Sequence, residues 1–208
     1  MKKYVAEFFG TLVLSLIVIL SVSGVALKTT PVLAAVTLGF LVYTIGSVSG
    51  SHINPAVTFG LWVLGKIKQQ EAVSYIAAQM IGAMSAVGIA WVLVEDLSSR
   101  ISGVQDRVGN DPLIGLAEVL GAVIFGFGIM AVVSEKVKQE LSGVIIGGSL
   151  FLGLLIAGSV SNALLNPAVA LALGSIDIMH MIGPFIGMVL GMRLFLYLSP
   201  EKKKLFSR

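Results

Sequence analysis

The chain has 208 residues, 56% of them apolar and only 12% charged, with 24 Gly and a mean hydropathy of +0.98, a balance that no soluble domain of this length can hide from water. Zero Cys excludes disulfides and Cys-ligated metal or haem. Two His and few acidic residues leave little for a metal site, so no metal and no cofactor is expected.

At about 20 residues per crossing of a ~30 Å hydrocarbon core, the length allows roughly six spans and no soluble domain beside them. The fold class expected is an all-α membrane protein: six transmembrane helices near 4–26, 31–50, 72–95, 112–134, 141–160 and 176–198, plus two re-entrant half-helices. These follow from the intervals free of Asp, Glu, Lys and Arg, which are 8–27, 29–65, 72–94, 119–134, 141–176 and 178–192. The first span follows Lys2 and Lys3, which with the small residues Ser23-Gly24-Val25-Ala26 would also suit a secretory signal. Against that, Glu7 stands where a signal's apolar core begins, and the segment has a counterpart farther along the chain.

The second and fifth intervals, 29–65 and 141–176, are 37 and 36 residues long, too long for one crossing and too short for a helical hairpin. Asn54-Pro55-Ala56 lies 25 positions after the start of one, and Asn166-Pro167-Ala168 lies 25 positions after the start of the other. Asn is a favoured N-cap, Pro suits the first helical position and Ala propagates a helix, so the tripeptide is a helix start. A helix begun at Asn54 has only about ten apolar residues before Lys66 and cannot cross the bilayer. It re-enters, and the irregular backbone at 49–53 and 161–165 lines a water-filled cavity. Gly50, His52 and Asn162 fall in these loops near the pore. A packed loop histidine is the reading preferred over a pH sensor for His52, and for His180 likewise.

Between the third and fourth spans, residues 95–111 carry Glu95, Asp96, Asp106 and Asp111 and read as a solvated connection. Gly82, Gly183, Gly187 and Gly191 read as packing positions, since small residues spaced by four let helices approach closely in lipid. Trp62, Trp91 and Tyr197 read as interface or packing aromatics.

Ala6-Glu7-Phe8-Phe9-Gly10 reappears as Ala117-Glu118-Val119-Leu120-Gly121, and Ser49 to Val57 reappears as Ser161 to Val169 around the shared Asn-Pro-Ala. The chain is therefore expected to be one channel domain, 1–208, built of repeats 1–95 and 112–198 and ending in a basic cytoplasmic tail, 199–208. Three spans per copy, an odd number, make the repeats inverted. With the N-terminus inside, the inner face holds ten basic residues: Lys2, Lys3, Lys66, Lys68, Lys136, Lys138, Lys202, Lys203, Lys204 and Arg208. The outer face holds Lys28, Arg100 and Arg107. This bias predicts a multi-pass protein of the cell (plasma or inner) membrane with both termini cytoplasmic. It also accounts for the net charge of +3 and the pI near 9.2 without a nucleic-acid partner.

Inverted symmetry points the two half-helix N-termini at one spot near the midplane, where their dipoles repel a cation. If each Asn oxygen is fixed as a cap acceptor, its amide nitrogen is free to donate to a neutral solute in the lumen. A water held there donates outward on both sides, which breaks a proton-conducting chain.

At these residues the chain resembles the aquaporin and glycerol-facilitator family, the major intrinsic proteins. The likeness runs through Ala6 to Thr11, Ser49 to Thr58, Tyr75 to Ala83 and Gly183 to Gly187. It implies a six-helix bundle with two half-helices, a pore in every subunit and a homotetramer. It also implies that Glu7 and Glu118 are loop-supporting glutamates, where an intramembrane carboxylate alone would suggest a proton relay. In most members an Arg follows the second Asn-Pro-Ala and forms the outer selectivity filter with three other side chains. Here Val169 takes that place, and counting from the motifs gives Ala34, Leu154 and Ala163 as its companions. Only 17 residues separate Asn166 from Gly183, fewer than the family usually has, so the second half-helix passes almost directly into the sixth span.

The expected function is a passive, non-enzymatic channel for water and small uncharged solutes, with the lipid bilayer as its other partner. The alternatives are a facilitator for a larger neutral solute (glycerol, ammonia, hydrogen peroxide or a metalloid acid) with little water flux, an ion-coupled transporter using Glu7 or Glu118, and a structural membrane protein with a closed pore.

Overall fold

The computed structural model describes residues 1–24, 29–105, 109 and 111–199. Lys28, Asp106, Arg107 and the tail from 200 to 208 lie outside the described residues. The described chain is all-helical: α1 Lys2–Ser23, α2 Thr30–Ser49, α3 Pro55–Val63, α4 Gln69–Leu93, α5 Leu97–Gln105, α6 Pro112–Val133, α7 Ser142–Ala157, α8 Pro167–Ala172 and α9 Ile178–Leu198, with a 3-10 turn Gln139–Leu141 leading into α7. Six of these are long and apolar enough to cross a membrane, α7 together with its 3-10 turn, and the expected spans agree with them to within a few residues. The two helices at the Asn-Pro-Ala motifs, α3 and α8, have 9 and 6 residues. At 1.5 Å per residue they reach only about 14 and 9 Å, at most half a crossing.

Small residues let the spans touch backbone to backbone, the way helices associate where lipid offers no hydrophobic contrast. A Cβ added at Gly82 would collide with the Phe8 carbonyl of α1, and one at Gly191 with the Val123 carbonyl of α6. Helices α2 and α7 meet the same way, with a Cβ on Gly39 reaching 2.9 Å from the Gly143 oxygen. Each half-helix packs across the repeat boundary: α3 lies on α9 as well as α4, and α8 lies on α1 and α4 as well as α9.

The connection expected to be solvated, 95–111, is instead folded in part. Leu97, Ile101 and Val104 stand at helical spacing on α5 and pack into the core, Leu97 with only 1% of its surface exposed. The short link from α8 to α9 is as direct as the residue count predicts. Gly174 turns at φ +76°, the Ser175 N–H bonds to the Ala170 carbonyl at 2.9 Å, and Asp177 already caps α9. Trp62, Trp91 and Tyr197 are exposed on the outside of the bundle.

Candidate functional site

The site is built on two buried carboxylates. Glu7 Oε1 accepts from the Ser49 hydroxyl at 2.6 Å and the His52 N–H at 3.0 Å, and Oε2 accepts from the Ile53 N–H at 2.7 Å and the Gln79 amide at 2.8 Å. Glu118 repeats the pattern: Oε1 accepts from the Ser161 hydroxyl at 2.5 Å and the Leu164 N–H at 3.1 Å, and Oε2 from the Leu165 N–H at 2.9 Å. In each loop the serine oxygen also accepts the N–H two residues on, from Ser51 and from Ala163. The loops need this support. Ser51, Ile53, Ala163 and Leu165 all have φ between 41° and 53°, a left-handed conformation that costs a non-glycine residue about 1–3 kcal/mol and persists only where the surroundings over-determine it. The twist leaves successive N–H groups on the glutamate and frees carbonyls on the opposite side.

The loops end where the half-helices begin. Asn54 Oδ1 caps α3 by accepting the Ala56 N–H at 2.8 Å, and Asn166 Oδ1 caps α8 by accepting the Ala168 N–H at 3.1 Å. The amide nitrogens, expected to be free, are half committed. Asn54 Nδ2 donates to the Leu165 carbonyl at 2.9 Å, and Asn166 Nδ2 donates to the Ile53 carbonyl at 3.0 Å. Each asparagine thus caps its own helix and grips the other repeat's loop. An amide nitrogen carries two hydrogens, so one remains on each for a ligand.

Both asparagines lie on the wall of a cavity of about 330 Å³. Ala34, Leu154, Ala163 and Val169 line the same cavity, so the four positions counted from the motifs are brought together, and all four are apolar. A second cavity of about 170 Å³ lies beyond, bounded by Gly50 and, at its far end, Lys66 and Ile67. Leu38, His52 and Phe125 line both cavities and form the waist between them. His52 is held there by its Nδ1 contact with Thr58 Oγ1 at 3.2 Å and an edge-on stack on Tyr75. Asn162 lines the first cavity and its amide nitrogen is taken up by protein, donating to the Val104 carbonyl at 2.7 Å and contacting Ser175 Oγ at 3.3 Å.

Gln79 and Tyr75 were not singled out individually by sequence. Gln79 donates to both Glu7 and Thr58; a lone buried amide in an apolar run was its signal. Tyr75 donates to the Ser49 carbonyl at 2.8 Å. His180 is buried between Asp177, 2.6 Å from its Nδ1, and Glu118, 3.8 Å from its Nε2. Burial pushes the Asp177 carboxyl up, but the hydrogen bonds from the His180 ring, the His180 backbone and the Met179 N–H outweigh it and hold it below the ordinary Asp value. Arg100, counted only as an outer-face charge, stands on the wall of the larger cavity.

Comparison with known proteins bears on the family and the fold. A model of the family described as Major intrinsic protein matches residues 1–196. The chain is 29% identical to the aquaporin AqpM of Methanothermobacter marburgensis, across 96% of this chain and 98% of that one. It is 31% identical to the aquaporin NIP1-1 of Zea mays, across 91% and 72%. Among solved structures, the aquaglyceroporin of Plasmodium falciparum has the same fold, with a TM-score of 0.68, 19% identity and 96% of both chains covered.

Proposed function

The chain belongs to the major intrinsic protein family, whose members are multi-pass membrane channels and not enzymes, and from that premise we propose that it is a passive channel for water and small uncharged solutes. The observation that carries this reading is the meeting of Asn54 and Asn166 at the head of two half-helices on the wall of one cavity, each with an amide hydrogen to spare. A neutral solute with an oxygen exchanges its water for those donors, while a cation meets two helix N-termini and finds no carboxylate among the described lining residues. Both oxygens of Glu7 and of Glu118 are engaged by loop and side-chain donors, which supports a scaffold role over a relay or an ion-coupled cycle.

The apolar set Ala34, Leu154, Ala163 and Val169 supports a second reading of the same pore, as a facilitator for larger or less polar neutral solutes with little water flux. Small side chains widen that level of the pore and an apolar lining favours dewetting. From the repeated segments we further read residues 1–95 and 112–198 as inverted copies, from the bias in basic residues both termini as cytoplasmic in a plasma or inner membrane, and by resemblance to the family the assembly as a homotetramer.

Stopped-flow swelling of proteoliposomes tests the reading. Vesicles holding the chain are expected to swell faster than empty ones for water, glycerol or another small neutral solute; equality with empty vesicles across the whole panel overturns it. Val169→Arg, measured beside the wild type, is expected to lower the flux of the larger solutes relative to water.

A further inference from the structure

Within a cavity lined by apolar and neutral side chains, Arg100 is the one formally charged residue among the described lining residues. It comes from α5, which packs one side on the bundle and leaves Arg100 exposed to solvent at the cavity wall. Leu97, Ile101 and Val104 bury one side of the helix, and Asn162, from the loop that leads into α8, donates to the Val104 carbonyl at 2.7 Å. The guanidinium is fixed at two of its nitrogens: Nε donates to the Glu95 carbonyl at 2.9 Å and Nη1 to the Ser23 carbonyl at 3.1 Å. Both acceptors are backbone oxygens. No carboxylate is within salt-bridge distance of Arg100 among the described residues, so no ion pair holds the guanidinium there. A guanidinium has five N–H donors, and these two bonds leave three without a protein acceptor among the described residues.

We infer that Arg100 is the charge-selecting residue of this pore: a fixed positive charge on the cavity wall, supplied from the outer connection, that repels cations from a constriction whose own four side chains carry none. The inference rests on the channel reading above. Walls of low dielectric focus the field of such a charge into the water between them, where it lowers the local cation concentration. The same charge leaves neutral solutes untouched, so exclusion of cations and conduction of uncharged solutes separate at one residue. The arrangement also explains why α5 is tethered at both ends of its contact with the bundle: a charge that selects has to be held in place.

The test uses the full chain in proteoliposomes, reading glycerol- or water-driven swelling and, on the same preparation, potassium leak with a potential-sensitive dye. Arg100→Gln is expected to keep the swelling rate within about twofold and to raise potassium leak about tenfold, while Arg100→Lys stays near wild type. A second measurement fixes the fold and varies only the charge. The chain has no Cys, so Arg100→Cys carries a single thiol that can be modified with a positively or a negatively charged methanethiosulfonate of similar size. The positive adduct is expected to suppress potassium leak and the negative one to leave it high. Equal leak from the two adducts, or from wild type and Arg100→Gln, in vesicles that still conduct the neutral solute overturns the inference and leaves the channel reading standing. Wild-type vesicles that conduct no neutral solute overturn both.

Discussion

At the scale of single residues, the pore rests on carboxylates that never face it. Glu118 presents two acceptor oxygens to three donors from one loop, and hydrogen bonds to a charged partner contribute about 1.5–3 kcal/mol each. Glu118→Gln keeps the volume but replaces one acceptor with a donor, which then faces a loop donor at close range. The expected outcome is a lower thermal midpoint in detergent, a loss of stability on the order of 3 kcal/mol, and a fall in solute flux with the helix content unchanged. Circular dichroism melting and vesicle swelling check the two halves of that statement. The pairing of Glu7 with Glu118 was legible in the sequence, because the segments around them repeat. The left-handed backbone at Ser51, Ile53, Ala163 and Leu165 was not. None is Gly, Asn or Asp, and Ile is among the residues least suited to φ > 0. Ile53 and Leu165 are held by a glutamate 46 and 47 positions away, Ser51 and Ala163 by a serine itself bonded to that glutamate, and no local propensity records that.

At the scale of elements, legibility followed the period of the pattern. The spans were readable from charge-free intervals and α3 and α8 from their capping chemistry, and the spacing of Gly183, Gly187 and Gly191 pointed correctly to a close helix contact. In the fold these three press on Glu118, Val119, Ala122 and Val123 of α6. Gly191→Leu would drive a side chain into the Val123 carbonyl, and overpacking of this kind costs about 1–3 kcal/mol or more. The expected result is a large drop in the yield of folded protein, read by size-exclusion chromatography in detergent, while the same change at Gly148, where a Cβ meets nothing, leaves it unchanged. Helix α5 escaped because its acidic flanks suggested solvent. Its signal was present in Leu97, Ile101 and Val104 at i, i+4 and i+7, three apolar positions in a short polar stretch. Asn162→Ala removes the bond to the Val104 carbonyl. Amide hydrogen exchange over 97–105 is then expected to speed up while the spans exchange as before.

At the scale of the whole molecule, the two repeats are interlocked rather than side by side. Helix α3 of the first packs on α9 of the second, where a Cβ on Gly60 would stand 2.9 Å from the Met192 sulfur. Helix α8 of the second packs on α1 and α4 of the first. At the centre each asparagine donates to the other repeat's loop. A half-helix of this length is too short to be stable alone, and its backbone cannot stay at membrane depth unless protein or water satisfies it. Each repeat therefore supplies only part of what holds its own half-helix in place, and the other supplies the rest. If the chain is cut in the connection between α5 and α6, between 106 and 110, each half expressed alone is expected to be degraded or to leave its Asn-Pro-Ala segment accessible to a thiol reagent at an introduced cysteine. Both halves expressed together are expected to restore protection and solute flux. Protection of the Asn54 region in the first half alone would show that the half-helix is held by its own repeat, contrary to the contacts across the boundary. Co-expressed halves that are both protected yet fail to conduct would instead place the requirement for an intact chain in the connection between α5 and α6, next to Arg100.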